Sequence, residues 1–120
     1  MKILIADDSD LMRIVIKGFF RKFLSTSEIS ETKNLSDTFD LLARENFDFL
    51  LLDINMPEAN SNPDTVKEIL TLQDKLKICM FSGNDKKTLE QAYREAGAIG
   101  FIQKDGNISN SLQEVLANNF

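Results

Sequence analysis

Two kinds of hydrophobic pattern alternate along this chain from its first residues to its last. Short, nearly unbroken apolar runs occur at Ile3–Ala6, Phe49–Leu52, Lys77–Phe81 and Ile99–Ile102. Each is long enough for a strand and too short for a helix, and apolarity at consecutive positions implies burial on both faces. A fifth segment, Glu28–Thr32, alternates weakly about Ile29 and suits a poorly buried edge strand. Between these runs apolar residues recur at three- and four-residue steps, the period of an amphipathic helix. Leu11, Ile14, Val15, Gly18, Phe19 and Phe23 form the first such stripe, widened by Phe20 and Leu24, with Arg13, Lys17 and Arg21 between them. Leu35, Phe39, Leu42 and Ala43 form the second, running to about Glu45 behind a Ser36 cap. Val66, Ile69, Leu70 and Leu72 mark a third, Leu89, Ala92, Tyr93 and Ala96 a fourth. Ile108, Leu112, Val115 and Leu116 mark a fifth, within Asn107–Ala117.

Local chemistry punctuates these elements. Ser9 or Asp10 is placed to cap the first helix. Asn62-Pro63-Asp64 combines a cap, proline at the first helical position and an acid in the first turn. Asn84 or Asp85 caps the fourth helix and Gly97 stops it. Strand and helix alternate five times with short connections, which requires parallel strands joined by crossover helices. The predicted fold is α/β: a doubly wound, five-stranded parallel sheet with five helices covering both faces.

Composition narrows the function. The 120 residues are expected to form one domain, 42% hydrophobic and 28% charged, as in ordinary globular proteins. The net charge of −5 argues against a nucleic-acid partner, and the small basic group Lys17, Arg21 and Lys22 reads as a solvated helix face. The single cysteine, Cys79, lies among apolar residues and is expected as a buried thiol in a reducing, cytoplasmic setting. No run approaches the length of a membrane span or a signal peptide. The absence of histidine removes any histidine base, nucleophile or metal ligand.

The chemistry concentrates at strand ends. Four of the five predicted strands end in polar or ionisable groups: Asp7-Asp8, Asp53, Ser82 and, just beyond the last, Lys104. Pro57 ends pairing soon after Asp53. In a parallel sheet these ends share one edge, so residues far apart in sequence converge. Singly, each has a plain structural explanation: strand cap, helix start, turn serine, solvated lysine. Together they describe a phosphoryl site. Converging carboxylates repel unless one is protonated or a cation joins them, and a hard divalent ion with oxygen ligands, Mg²⁺ before Mn²⁺, suits them. Lys104 adds a positive charge, Ser82 a hydroxyl, and Gly83 an accessible backbone N–H. A carboxylate so surrounded suits a nucleophile for phosphoryl transfer.

IADDS at Ile5–Ser9, LLDINMP at Leu51–Pro57, SG at Ser82–Gly83 and FIQK at Phe101–Lys104 resemble the motifs of the CheY-like receiver domain of two-component response regulators. The likeness covers residues 1–120 as a single receiver domain and implies strand order 2-1-3-4-5. It implies that Asp53 is the phosphoacceptor, and that Asp8, Asp53 and the Asn55 carbonyl are Mg²⁺ ligands, with Asp7 assisting through water. It also implies that Asn55, Ser82, Gly83 and Lys104 bind phosphate, that Ser82 and Phe101 form a switch, and that Asn55 and Asn84 tune phosphate lifetime. The expected partners are a histidine kinase or phosphotransfer protein and an unidentified downstream protein. The latter would read a face built by the fourth helix, fifth strand and last helix, with Tyr93, Gln103 and Ile108 exposed. Such a domain catalyses its own aspartyl phosphorylation and dephosphorylation and is not a conventional enzyme. The competing reading is a phosphorylation-independent interaction module.

Three positions depart from the family pattern. Asp105 replaces the usual proline after the lysine, so a trans peptide is expected there, and Asp105 is a candidate partner for Lys104. The segment after Pro57, EANSNPD, looks about one residue longer than usual and lacks its glycine. Serine at 82 replaces the commoner threonine and keeps the hydroxyl.

Overall fold

The computed structural model describes residues 1–120. Five strands alternate with five helices: β1 (Lys2–Ala6), α1 (Asp10–Phe23), β2 (Glu28–Thr32), α2 (Leu35–Arg44), β3 (Phe49–Asp53), α3 (Pro63–Leu72), β4 (Lys77–Ser82), α4 (Lys86–Ala96), β5 (Gly100–Gln103) and α5 (Ile108–Asn119). All strand pairs are parallel, in the order β2-β1-β3-β4-β5. The predicted fold class and strand order are both found.

The core follows from the two-residue period of a strand. Leu4, Ala6, Leu50, Leu52, Ile78 and Met80 face one way and pack with Leu42, Val66, Ile69, Tyr93 and Ala96 of α2, α3 and α4. Ile3, Ile5, Phe49, Leu51, Cys79, Phe81 and Ile102 face the other way and pack with Ile16 and Phe20 of α1 and Ile108, Leu112 and Leu116 of α5. All five residues of β3 are buried, so the central strand has no wet face.

Helix starts hold where caps are present. Ser9 caps α1 by accepting from Met12 N–H, and Asn62 forms a capping box with Thr65 at α3. Asp85 caps α4, while α2 begins one residue before the predicted cap: Asn34, not Ser36, accepts from Asp37 N–H. Strand β5 starts at Gly100 and α5 runs to Asn119, each shifted slightly from expectation.

The face of α1 differs from prediction. Leu11 and Ile14 are 70% and 61% exposed, whereas Arg13, Ile16 and Phe20 are buried. The sequence offered apolar residues on more than one side of this helix, and the buried side carries Ile16 and Phe20 together with Arg13. Its guanidinium donates to the Asp7 carbonyl, to Glu31 and to Asp10, so its charge is satisfied inside. Ala43 and Leu72 likewise lie outside, and the polar Thr38 and Gln73 lie inside. Gln73 earns that position by joining the Phe47 amide to the Leu42 and Glu45 carbonyls.

Gly97 ends α4 with φ 119°, a left-handed conformation, and a Cβ there would sit 2.5 Å from Leu70 Cδ1. Replacement Gly97→Ala therefore meets both backbone strain and a clash. It is expected to lower stability by roughly 1–3 kcal/mol in urea unfolding, whereas Gly106→Ala, with nothing within 4 Å of its Cβ position, is expected to have little effect.

Candidate functional site

Strand order reverses between β1 and β3, because β2 lies outside β1 and the later strands lie outside β3. In open α/β sheets ligands bind beyond the carboxyl ends of the strands at such a switch point. Asp7 and Asp8 follow β1 and Asp53 ends β3, so the neighbouring strands deliver all three carboxylates to that edge. One carboxylate oxygen from each lies within 4.8 Å of the others. Asp7 and Asp53 are buried, whereas Asp8 is exposed.

Lys104 supplies the charge these buried acids need. Its backbone N–H donates to the Ser82 carbonyl at 2.7 Å, tying the loop after β5 to the end of β4. Its ammonium lies 2.8 Å from Asp7 Oδ2 and 3.2 Å from Asp53 Oδ2 and sits over the Phe81 ring. The contact to Asp53 is a hydrogen bond. The contact to Asp7 is an ion pair by distance but lies off the hydrogen-bonding direction, which leaves Asp7 Oδ2 buried without an aligned donor. The other Asp7 oxygen accepts from Ser9 N–H, and Asp53 Oδ1 accepts from Asn55 N–H at 3.2 Å.

These contacts set the protonation equilibria. Burial, then the neighbouring Asp7 charge, pushes Asp53 up to about 6, against the opposing pull of Lys104. Burial by itself would lower Lys104, but the close Asp7 carboxylate and the charge and hydrogen bond of Asp53 outweigh it and raise the group. Asp53 is therefore largely ionised above neutrality and retains nucleophilic oxygen.

The donor set fits a hard divalent cation. Carboxylate oxygens bound to one Mg²⁺ lie at most about 4.2 Å apart, twice the Mg–O distance, so the observed cluster needs only a small contraction. An ammonium already occupies a cation's place between two of the three acids, and a buried Asp7 oxygen still lacks an aligned donor. Asp7, Asp8 and Asp53 are thus a candidate set of oxygen ligands for such an ion.

The other expected site residues are placed as follows. Ser82 is fully buried, and its hydroxyl accepts from Asn84 N–H at 3.0 Å, a turn bond that opens the loop to α4. Gly83 is exposed with open space around a Cβ, so no close contact within the protein demands glycine there. Asn55 and Asn84 are exposed. Phe101 is buried, its ring 6.0 Å from that of Tyr93.

Two expectations are corrected. Asp105 does not partner Lys104: its carboxylate accepts from Asn107 N–H at 2.8 Å and begins the turn into α5, while Lys104 reaches the two buried acids instead. Tyr93 and Ile108 are not exposed on the α4-β5-α5 face; both are buried, and Gln103 is half-buried with its side chain accepting from Lys86 N–H. Every peptide bond is trans, including Lys104-Asp105.

Sequence reasoning missed the role of Arg13, which the helical pattern places only between apolar positions. Beside fixing the Asp7 carbonyl at 2.6 Å, it joins Asp10 and Glu31 into a network extended by Lys17 and Lys33. Burial disfavours the Arg13 charge, but hydrogen bonds to Asp10 and Glu31 outweigh it and raise the group. The three-residue spacing of Asp10 and Arg13 was a readable signal; the arrival of Glu31 from β2 was not.

A family model described as response regulator receiver domain matches residues 3–116. A protein-glutamate methylesterase/protein-glutamine glutaminase of Vibrio cholerae is 35% identical over 96% of this chain and 32% of its own length. The chemotaxis protein CheY of Thermotoga maritima is 29% identical, over 86% of this chain and 84% of its own. The chain spans about a third to about half of the length of several of its relatives, including a glycerol metabolism activator of Pseudomonas putida at 55%. Among solved structures, the chemotaxis response regulator CheY4 of Vibrio cholerae superposes with a TM-score of 0.81 at 20% identity, covering 99% of this chain and 98% of that one. The isolated receiver domain of RcsB from Salmonella enterica reaches 0.85 at 20% identity, covering 98% and 86%.

The site makes two predictions in metal-free protein. Because the folded-state pKa of Asp53 is raised from 3.8 to about 6, its ionisation penalises folding above that range and not below about pH 4. Asp53→Asn is therefore expected to stabilise the protein by on the order of 2–3 kcal/mol at pH 7.5, with the gain fading to nothing near pH 4 in chelator-treated urea titrations. Lys104→Met removes the cation from two buried acids. It is expected to cost roughly 2–4 kcal/mol, and added Mg²⁺ is expected to raise its melting temperature more than that of the parent.

Proposed function

This chain belongs to the response regulator receiver domain family of two-component signalling, and we propose that it receives a phosphoryl group on Asp53. The observation that carries this reading is the meeting of Asp53 with the Lys104 ammonium at 3.2 Å, beside Asp7 and Asp8, at the switch point of the sheet. A carboxylate buried this deeply for structural purposes alone would be an avoidable cost.

In the proposed reaction an Asp53 carboxylate oxygen attacks phosphorus in a partner's phosphohistidine. The new O–P bond forms as the N–P bond breaks, and the departing imidazole takes its proton from solvent. Asp7, Asp8, Asp53 and the Asn55 carbonyl would hold Mg²⁺, or Mn²⁺ in its place. When bound, the ion supplies positive charge to the transferring phosphoryl oxygens. Lys104 pairs with one phosphate oxygen, leaving Asp53 for the incoming group. Ser82 gives up its bond from Asn84 N–H and turns its hydroxyl to another oxygen, with the Gly83 amide accessible alongside. Phosphorylation brings about −1.5 to −2 charge at neutral pH, and Phe101 repacks in response.

A histidine kinase or phosphotransfer protein is the implied donor. Exposed Asp8 and the first turns of α1, where Leu11 and Ile14 present apolar side chains, suit its approach. The downstream protein reads the face of α4, β5 and α5. Since Tyr93 and Ile108 are buried, that face acts through its exposed polar residues and half-buried Gln103 until phosphorylation changes the packing.

Incubation with acetyl phosphate and Mg²⁺, followed by intact-mass measurement, tests the reading. A single phosphate adduct is expected, abolished by Asp53→Asn and by a chelator. If no adduct forms with acetyl phosphate or with a kinase, and beryllofluoride leaves the Phe101 NMR signals unmoved, the phosphoacceptor reading fails. A phosphorylation-independent interaction module then takes its place.

A further inference from the structure

Four observations single out the loop between β3 and α3, which carries the lip of the Asp53 site. Glu58 has φ 72° and is the one non-glycine residue with a positive φ, a conformation that costs an L-residue free energy. The loop is closed at its base by Ser61 N–H, which donates to the Ile54 carbonyl at 2.8 Å. Ser61 is 2% exposed, yet its hydroxyl has no hydrogen-bond partner, which is costly in a buried setting. The carbonyl of Ser61 is met from outside the loop: the Tyr93 hydroxyl donates to it at 3.1 Å across 32 sequence positions. This is the sole hydrogen bond between α4 and the loop.

Tyr93 is suited to hold such a segment. It is 4% exposed, its ring packs 6.0 Å from Phe101, and burial moves its hydroxyl further above the ordinary tyrosine pKa. A loop with a strained residue and an unmet hydroxyl is held closed by interactions at its base, and one of those two bonds comes from α4. We propose that Tyr93 is a positioning residue whose hydroxyl latches the β3–α3 loop, through the Ser61 carbonyl, to α4. The lip of the Asp53 site and the read-out helix therefore change conformation as one unit. The latch rests on the phosphoacceptor reading for its purpose, but its mechanics are independent of phosphate.

The test replaces Tyr93→Phe, which keeps the ring and deletes the hydroxyl. Amide hydrogen exchange in the unphosphorylated protein reads the latch directly. The protection factor of the Ser61 amide is expected to fall about 5-fold, the equivalent of one hydrogen bond worth about 1 kcal/mol, while core amides of β1 and β3 keep theirs. Ser61→Ala, which removes the unpartnered hydroxyl and keeps the carbonyl, is expected to raise protection at the same amide. With beryllofluoride and Mg²⁺, the parent is expected to show chemical-shift changes at both Ser61 and Arg94. Tyr93→Phe is expected to keep the change near Asp53 and lose at least half of that at Arg94. Unchanged protection at Ser61 in Tyr93→Phe, or an undiminished Arg94 response, overturns the latch. Failure of the parent to respond to beryllofluoride counts against the phosphoacceptor reading alone, because the protection factors still decide the latch.

Discussion

Two carboxylates buried side by side at the ends of adjacent parallel strands cannot both ionise without a cation, and the architecture of this edge follows from that requirement. The ammonium of Lys104 answers it, brought from the far end of the chain and anchored by a backbone bond to the Ser82 carbonyl. The compensation is incomplete: Asp53 remains raised to about 6, and one Asp7 oxygen has no aligned donor. This residual imbalance is the property on which the proposed divalent-cation and phosphoryl chemistry draws.

A second charged centre holds the first in place. Arg13 lies inside α1 and binds the carbonyl of Asp7, so the backbone that presents the acidic pair is fixed from behind. Glu31 and Asp10 share the guanidinium, and Lys17 and Lys33 complete the balance at the rim. The edge strand β2, thin in apolar contacts, thus contributes an acid that supports the neighbouring strand's site. On the same helix Ile16 and Phe20 are buried with Arg13, and Leu11 and Ile14 face outward. The ion network, buried at Arg13 and open at its rim, thus supports the backbone of the acidic pair.

The opposite sheet face carries a different kind of coupling. Tyr93 and Phe101 pack together within the core formed with α2, α3 and α4, while the Tyr93 hydroxyl reaches the loop beyond Asp53. An aromatic core residue is therefore also a link between the site and a helix on the molecular surface. That arrangement requires a buried donor to find a backbone acceptor, which the loop supplies at Ser61.

The sequence by itself determined the alternation of strand and helix, the parallel sheet and the convergence of Asp7, Asp8, Asp53, Ser82 and Lys104 on one edge. These follow from local periodicity, caps and short connections, all written in neighbouring residues. It also marked β3 as the central strand, because a run apolar at every position has no solvated face. The tertiary structure decided what depended on distant partners. The burial of Arg13 on α1 draws on Glu31 from another strand, and the burial of Gln73 on the carbonyls of Leu42 and Glu45. Asp105 was legible as a charge near Lys104, but only the folded chain gave Lys104 two buried acids and Asp105 a helix turn. Periodicity reports which side of an element is apolar; which polar groups go inside is settled by the acceptors and donors that the rest of the fold brings to meet them.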